Sequence, residues 1–498
     1  MTLLLFAFLA AGKATEFRPT VAVVPPVSTV AADGWVGLAL ADDLSTRLLF
    51  HSRFDPKTLS RLYPLNVFGW RQALSAARAA GLRVQEPLDK ASLARLNADL
   101  GADFVLAGTY QIKEKVVTLN WQLFGDGTSA RHTSVFAIDK VALGAEKIAA
   151  ELLVALGQTN KVLESHSLPV LSLAAVKPYG EALQILSRQS LDPRAHLVLP
   201  RDEVEKARTL LTAATDADHS FVRAWVARGV TSAMLGETAD AEQALVHSME
   251  VAAEFEPDMA LGLYYLYERQ GEAGKAITVL DEATTTHLGF LQALGYLGQQ
   301  YARNAQNHDA LRVFTTFKAR VPKSPWAAIK RAEALAHIGN QDQAIVETQE
   351  VVAKFPDSVA ALTALASRQI DAVKYDDARA TITRAMKLAP DHPALLTRLS
   401  YIALEQDKVQ EALDLAQKAV ITIGDGRGEM IAGYAHLDLG HALARMGRTD
   451  EAFVALGRAK ELGVDADDLL VFWRDARLED FMNDARNPFR PLVAEPVR

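Results

Sequence analysis

Residues 294–322 read L-G-Y-L-G-Q-Q-Y-A-R-N-A-Q-N-H-D-A-L-R-V-F-T-T-F-K-A-R-V-P. Gly298 and Tyr301 fall on a first helix, where the small residue lets a partner helix come close. Ala310 stands near the start of a second helix, at the tight crossing between the two. Phe314 and Phe317 follow on the buried face, and Pro322 ends the helix.

The same alanine recurs along the chain. It stands at Ala207, Ala241, Ala276, Ala310, Ala344, Ala378, Ala412 and Ala452, in steps of 34, 35, 34, 34, 34, 34 and 40 residues. A fixed period near 34 marks an array of helix–turn–helix units, each burying its apolar faces only against its neighbours. Other units fill the pattern unevenly: Gly339, Ala344 and Pro356; Ala378, Ala385 and Pro390; Ala412 and Ala419; Gly440, Gly447, Ala452 and Ala459. Gly271 and Ala276 match in a unit with no proline stop. The small residue and aromatic on helix A, then alanine, aromatic and proline on helix B, resemble the tetratricopeptide (TPR) repeat.

Composition sets the frame around the array. The chain has 498 residues, 49% of them hydrophobic and 23% charged, as in an ordered soluble protein. Its formal net charge is −8 and no basic cluster occurs, which argues against nucleic acid as the main partner. There is no cysteine, so disulfides, thiolate metal sites and a cysteine nucleophile are excluded. The stretch from Leu3 to Ala11 is apolar but too short to span a bilayer. With Ala10, Ala11, Gly12 and Ala14 after it, residues 1–14 read as a signal peptide, although the usual positive start is absent.

Residues 18–157 read as a compact α/β domain, a mixed sheet with flanking helices. A strand ends at Pro25-Pro26, and a helix follows from Trp35 to His51. Residues 54–70 read as irregular, with Pro56 and Pro64 as breakers. Helices are expected near Val67–Ala80 and Lys90–Leu100. Three strands come next, Phe104–Lys113, Val116–Phe124 and Arg131–Ile138, and a closing helix covers Val141–Leu156. Val21-Ala-Val-Val-Pro-Pro, Gly37-Leu-Ala-Leu-Ala-Asp-Asp-Leu-Ser-Thr-Arg-Leu and Leu100-Gly-Ala-Asp-Phe-Val-Leu-Ala-Gly-Thr-Tyr carry a second resemblance. This part is similar to the TolB amino-terminal domain and the related CsgG-like envelope domains. That resemblance implies a bacterial protein in which such a domain precedes a TPR array. The match departs from the family at Pro26, where phenylalanine is usual, and over 54–70, where a clean second strand is expected.

The rest of the chain divides into a linker or docking segment (158–176), a helical repeat array of about eight units (177–464) and capping helices with a tail (465–498). Pro178 is expected in the first turn of the first array helix. The 40-residue step, with its Gly424, Gly426 and Gly428, reads as a loop insertion or a longer helix. Leu470, Phe472, Trp473, Leu478, Phe481 and Phe489 suit a cap over the last unit.

No catalytic motif survives inspection. The three glycines lack a preceding strand, so the dinucleotide-binding context fails. His287, His308, His436 and His441 lack the spacing and acid partner of a zinc pair and read as exposed or groove-lining. Asp42-Asp43 reads as a solvated pair. No cofactor, no metal and no enzymatic activity are expected. What remains is the concave face lined by the A helices. Repeat register places Arg223, Tyr265, Arg269, Gln299, Arg303, Trp326, Glu333, His337, Tyr401, Glu405, His441 and Arg445 there as partner-binding residues. Some TPR proteins clamp a terminal carboxylate with lysine and asparagine at fixed positions. Here Val226, Leu261, Gly295, Ile329 and Thr363 hold one such position, and Val230, Tyr265, Gln299, Glu333 and Ser367 the other, so a helical or extended segment fits better.

The sequence therefore reads as a non-enzymatic adaptor that binds proteins or peptides, in the bacterial envelope if the leader is removed. The alternative is a cytoplasmic signalling module acting on a separately encoded effector. The two parts are expected to fold independently, so that removing residues 1–157 leaves the array intact.

Overall fold

The computed structural model describes residues 19–28, 33–50, 65–79, 86–125, 128–156, 171–188, 199–252, 256–424, 430–464 and 476–489, with a few isolated positions between them. The first part is a mixed sheet. β1 (Thr20–Val23), β5 (Asn66–Phe68) and β6 (Phe104–Lys113) run parallel, with β1 between the other two. β2 (Val27–Ser28) pairs with the far end of β6. β3 (Phe54–Asp55) and β4 (Ser60–Arg61) form a separate two-stranded pair. β6, β7 (Val116–Gly125) and β8 (Thr128–Ala137) continue as an antiparallel meander. The β6–β7 turn places both Glu114 and Lys115 at positive φ, the twist a two-residue hairpin requires.

Four helices cover this sheet: α1 (Gly34–Phe50), α2 (Trp70–Ala79), α3 (Lys90–Leu100) and α4 (Val141–Ala155). Because β5 and β6 flank β1 on opposite sides, right-handed crossovers set α1 and α2–α3 on opposite faces. Of residues 54–70, the described positions 54–55, 60–61 and 66–68 are strands, while Pro56 and Pro64 lie outside the described residues. β5 is the missing second strand, and Gly69 separates it from α2, so the expected helix start at Val67 is corrected to Trp70. Burial of Val67 and Phe68 against β1 outweighs the local breaker signals.

The second part is a solenoid of eight helix pairs among the described residues. The inner helices are α5 (Leu173–Leu186), α7 (Val222–Leu235), α9 (Pro257–Gln270), α11 (Leu291–Arg303), α13 (Pro325–His337), α15 (Val359–Asp371), α17 (Pro393–Glu405) and α19 (Met430–Arg445). Their outer partners are α6 (Arg201–Ala217), α8 (Thr238–Val251), α10 (Ala273–Thr286), α12 (Asn307–Arg320), α14 (Gln341–Lys354), α16 (Tyr375–Leu388), α18 (Val409–Ile423) and α20 (Thr449–Glu461). Several successive inner helices pack on one another (α7 on α9, α13 on α15, α15 on α17, α17 on α19), so the stack curls with this layer inside. The marker alanines at 207, 241, 276, 310, 344, 378, 412 and 452 are all fully buried. At 298 a side chain has no room: a Cβ on Gly298 would meet the Phe314 ring at 2.6 Å.

The array begins at Leu173, not at 177, so Pro178 lies inside α5 and not in its first turn. Residues 157–170, most of the expected linker, lie outside the described residues. The 40-residue step leaves the solenoid continuous, since α19 packs on both α17 and α18. Gly426 and Gly428, and Leu470, Phe472 and Trp473 of the expected cap, lie outside the described residues. Within the described cap, Phe481 of α21 (Glu479–Asn483) stacks on Phe453 at 4.6 Å between ring centroids, and Leu478 and Phe489 are buried beneath.

The two parts are not separate bodies. One hydrophobic core includes Val23, Leu44 and Trp121 of the α/β domain, Leu183 and Leu211 of the first helix pair, and Tyr264 and Leu297 further on. The expectation of independent folding is corrected on that ground. The α/β domain leans on the edge of the solenoid where each outer helix turns into the next inner one. Val67 N donates to Gly289 O at 3.1 Å, Asn66 Nδ2 to Arg320 O at 3.1 Å, and Lys323 Nζ reaches Asp103 Oδ1 at 2.7 Å. Asp103 also accepts from Thr20 N at 2.9 Å, tying the start of β1 to the same junction. Gly101 is pressed so closely on Lys323 and Ser324 that a Cβ there would lie 2.1 Å from a backbone oxygen.

Candidate functional site

The inner face of the solenoid presents two kinds of surface. Around α7, α9 and α11 it is apolar and aromatic. Val226, Val230, Leu261, Tyr264, Tyr265 and Tyr296 line a cleft of about 60 Å³ there, and Asp42 and Arg71 of the α/β domain close one side. Tyr264 stacks on Tyr296 with centroids 5.1 Å apart. From α13 to α19 the same register carries charge. Lys330 pairs with Glu333 at 2.7 Å and Arg368 with Asp371 at 3.1 Å. Arg398 donates to Ser367 Oγ and to Ala394 O, both at 2.8 Å. Burial, reinforced by Arg368, lowers the pKa of Arg398, and burial raises that of Asp438 well above the carboxylate range.

The structure sorts the twelve expected groove residues. Arg269, His337 and Glu405 are exposed, and Gln299, Glu333 and Tyr401 are half-buried on the inner helices. Glu405 accepts from Tyr375 OH at 3.1 Å. Arg303 donates to Tyr264 OH at 3.2 Å and pairs with Glu268, so it braces the tyrosine wall. Arg445 is held by Asp407. Tyr265 is buried but lines the cleft.

Three expectations need correction. Trp326 packs edge-on against Phe314 and Phe317, with centroids 6.1 and 5.0 Å away, and covers Gly295; it is a wedge between helix pairs. His441 is 4% exposed, and His287 is likewise buried, so neither is a surface or groove histidine. Arg223 is taken up by the α/β domain, in the cluster described next.

Asp42 and Asp43 are the largest departure from the sequence reading. They are 6% and 4% exposed, buried in the seam between the two parts. Asp42 accepts from Trp70 Nε1 at 2.9 Å, Tyr179 OH at 2.7 Å and Arg223 Nη1 at 3.0 Å. Asp43 accepts from Arg223 Nη2 and from Arg47 Nε, the latter at 2.8 Å. Arg47 reaches on to Glu146 of α4 at 3.4 Å. Burial pushes Asp43 up, but the Arg223 and Arg47 guanidiniums overcome it and hold the carboxyl below its ordinary value. Burial and the nearby Asp42 carboxylate push the Tyr179 phenol well above its ordinary value. A signal for this burial was present. Around Asp42-Asp43, α1 carries Val36, Leu38, Leu40, Leu44, Leu48 and Leu49, which leave no polar face to solvate the pair.

Among the described residues, no group of three His, Asp or Glu side chains is placed to hold a metal ion. No described helix is long and apolar enough to cross a membrane.

Comparison with known proteins gives one family match. Residues 363–427, which fall on α15 to α18, match the tetratricopeptide repeat family. No curated protein matches the chain. Among solved structures, a tetratricopeptide repeat protein from Parabacteroides merdae is similar at 17% identity, over 53% of this chain and all of that one, with a TM-score of 0.42. Yeast Tom70 is similar at 14% identity, over 71% of this chain and 77% of its own, with a TM-score of 0.47. A TPR protein of Thermus thermophilus is similar at 18% identity, over 37% and 97%, with a TM-score of 0.32. The fold is an α/β domain joined to a TPR-type solenoid.

Proposed function

We propose that the protein is a non-enzymatic scaffold whose inner groove holds a segment of a partner protein. The observation that carries this reading is the groove itself. Its inner helices carry a tyrosine-lined, apolar cleft at α7–α11 and charged side chains at α13–α19. An apolar anchor beside a charged stretch suits a partner helix or extended segment, which buries a few side chains and orients by charge. The repeat-family match supports the reading, because stacked helical repeats offer extended concave binding surfaces. The α/β domain closes one side of the cleft and would contribute to the same surface.

The finer part of the proposal is location. The TolB-like resemblance and the apolar start from Leu3 to Ala11 point to the bacterial envelope. Partner capture from native cells, with intact-mass measurement of the bait, tests both parts. A mature chain lacking about 12–14 residues, the length of a short leader, together with envelope proteins lost on Arg269→Ala and Tyr401→Ala, is the expected result. An uncleaved chain with cytoplasmic partners would replace the envelope by the signalling reading. Capture unchanged by both substitutions would move binding away from the groove.

A further inference from the structure

The buried seam holds more acid than base. From α1 come Asp42, Asp43 and Arg47, with Thr46 beside them; from α2, Arg71; from α4, Glu146; from α5, Tyr179; from α7, Arg223. The start of α9 adds Glu256 and Asp258. Five carboxyls thus face three guanidiniums. Arg223 is committed to Asp42 and Asp43, and Arg47 to Asp43 and Glu146. Arg71 stacks on the Trp70 ring at 4.2 Å. Asp258 faces this cluster with a hydroxyl as its hydrogen-bond donor, Thr46 Oγ1 at 3.1 Å, and Glu256 is buried beside it. Asp42, Asp43 and Glu256 are buried and Glu146 and Asp258 half-buried, and such an excess of negative charge in a largely buried seam is relieved most simply by protons.

We propose that the junction between α1 and the start of α9 is a proton-operated clasp: docking of the α/β domain on the second and third helix pairs is tight when Glu256 and Asp258 carry protons and loosens when they lose them. Burial, with the Asp42 carboxylate, pushes Asp258 up from 3.8 to about 6. Burial pushes Glu256 up from 4.5 to about 7, with Asp258, Asp43 and Asp42 adding to it against Arg223. A carboxyl whose docked pKa exceeds its free value binds its proton more tightly when docked. Docking is therefore strongest below the free value and weakens as pH rises through the docked one, here between about 4 and about 7. For each carboxyl the docking constant falls by at most on the order of a hundredfold across that window, the full fall requiring that undocking restore the ordinary carboxylate pKa. Asp43 has the opposite sign, but its docked pKa lies below the ordinary carboxylate value, so it stays charged throughout this window. Asp42, Tyr179, Arg223 and Asp258 also line the groove cleft, so loosening the clasp opens the tyrosine-lined end of the groove.

The absence of cysteine makes the test direct. Cysteines at the exposed positions Val135 and Val246 carry a donor and acceptor dye, one on each part. The urea concentration at which energy transfer is half lost is measured at pH 5.5 and pH 8. In the otherwise unaltered chain it is expected to be lower at pH 8. In Glu256→Gln/Asp258→Asn, neutral at both values, the difference is expected to shrink severalfold. Glu256→Gln alone serves where the double variant does not fold, and should remove part of the difference. Equal midpoints at the two pH values, or an undiminished difference in the neutral variants, would overturn the proposal.

Discussion

Arg223 is the residue on which the junction turns. It is 7% exposed and bonded to two carboxylates that are themselves buried. Arg223→Ala leaves Asp43 with Arg47 and leaves Asp42 with the neutral donors Trp70 and Tyr179, and removing one partner of a buried ion pair costs about 3–5 kcal/mol. A urea titration should show that loss, with the helices nearest the seam, α5 to α9, melting first. Val373 makes a prediction of the opposite sign. It sits at the turn between α15 and α16 with φ of 59° and is 68% exposed. Of the six other described turns of this kind, four hold Gly236, Gly271, Gly339 and Gly447 and two hold Ala305 and Asp407, all at positive φ. A branched side chain in that conformation is strained, whereas glycine is not, although glycine adds freedom to the unfolded chain. Val373→Gly is expected to stabilise the protein by about 1 kcal/mol, read as a raised thermal midpoint.

At the scale of elements, the helix pairs were legible and their side-chain roles were not. The 34-residue alanine period located every outer helix from α6 to α20, because a buried small residue at each crossing is a geometric necessity of stacking. The four long α/β helices, α2 with its start placed three residues early, and the three long strands were also legible from apolar spacing and turn residues. β5 was not: at three residues it is too short to show alternation, and parallel pairing with β1 supplies its stability. Register placed Trp326 on the inner layer, but register cannot say whether a large side chain points into the groove or wedges between helices. Here Gly295 leaves the space that Trp326 fills. Trp326→Ala is therefore expected to cost stability, about 2–3 kcal/mol for a half-buried tryptophan, and is a poor probe of binding. Denaturation of this variant beside Arg269→Ala, which should leave the midpoint unchanged, checks the distinction.

At the scale of the whole molecule, the shared core decides how the protein unfolds. Local signals marked the two parts as separate because composition and period change between them, whereas the packing between them depends on contacts distant in sequence, such as Asp42 with Arg223. Deleting residues 1–157 strips the α/β side from the core that holds α5 to α11. The later pairs rest on their own clusters, including one around Leu362, Ile382 and Leu399. The truncated chain is expected to lose the helicity of the first three or four pairs and keep the rest, as circular dichroism and hydrogen exchange would show. Full retention of helicity would mean that the seam is an accessory contact.

The inner groove is the proposed working surface. Site-specific photo-crosslinking tests it most directly, with a photoreactive residue placed singly at Arg269, His337 or Glu405 on the inner helices. Controls carry it at Val246 or Val454, exposed on the outer helices. Covalent capture of the same partner from the three inner positions, and not from the two outer ones, is the expected result. Crosslinks from the outer positions alone, or equally from both sets, would contradict the account.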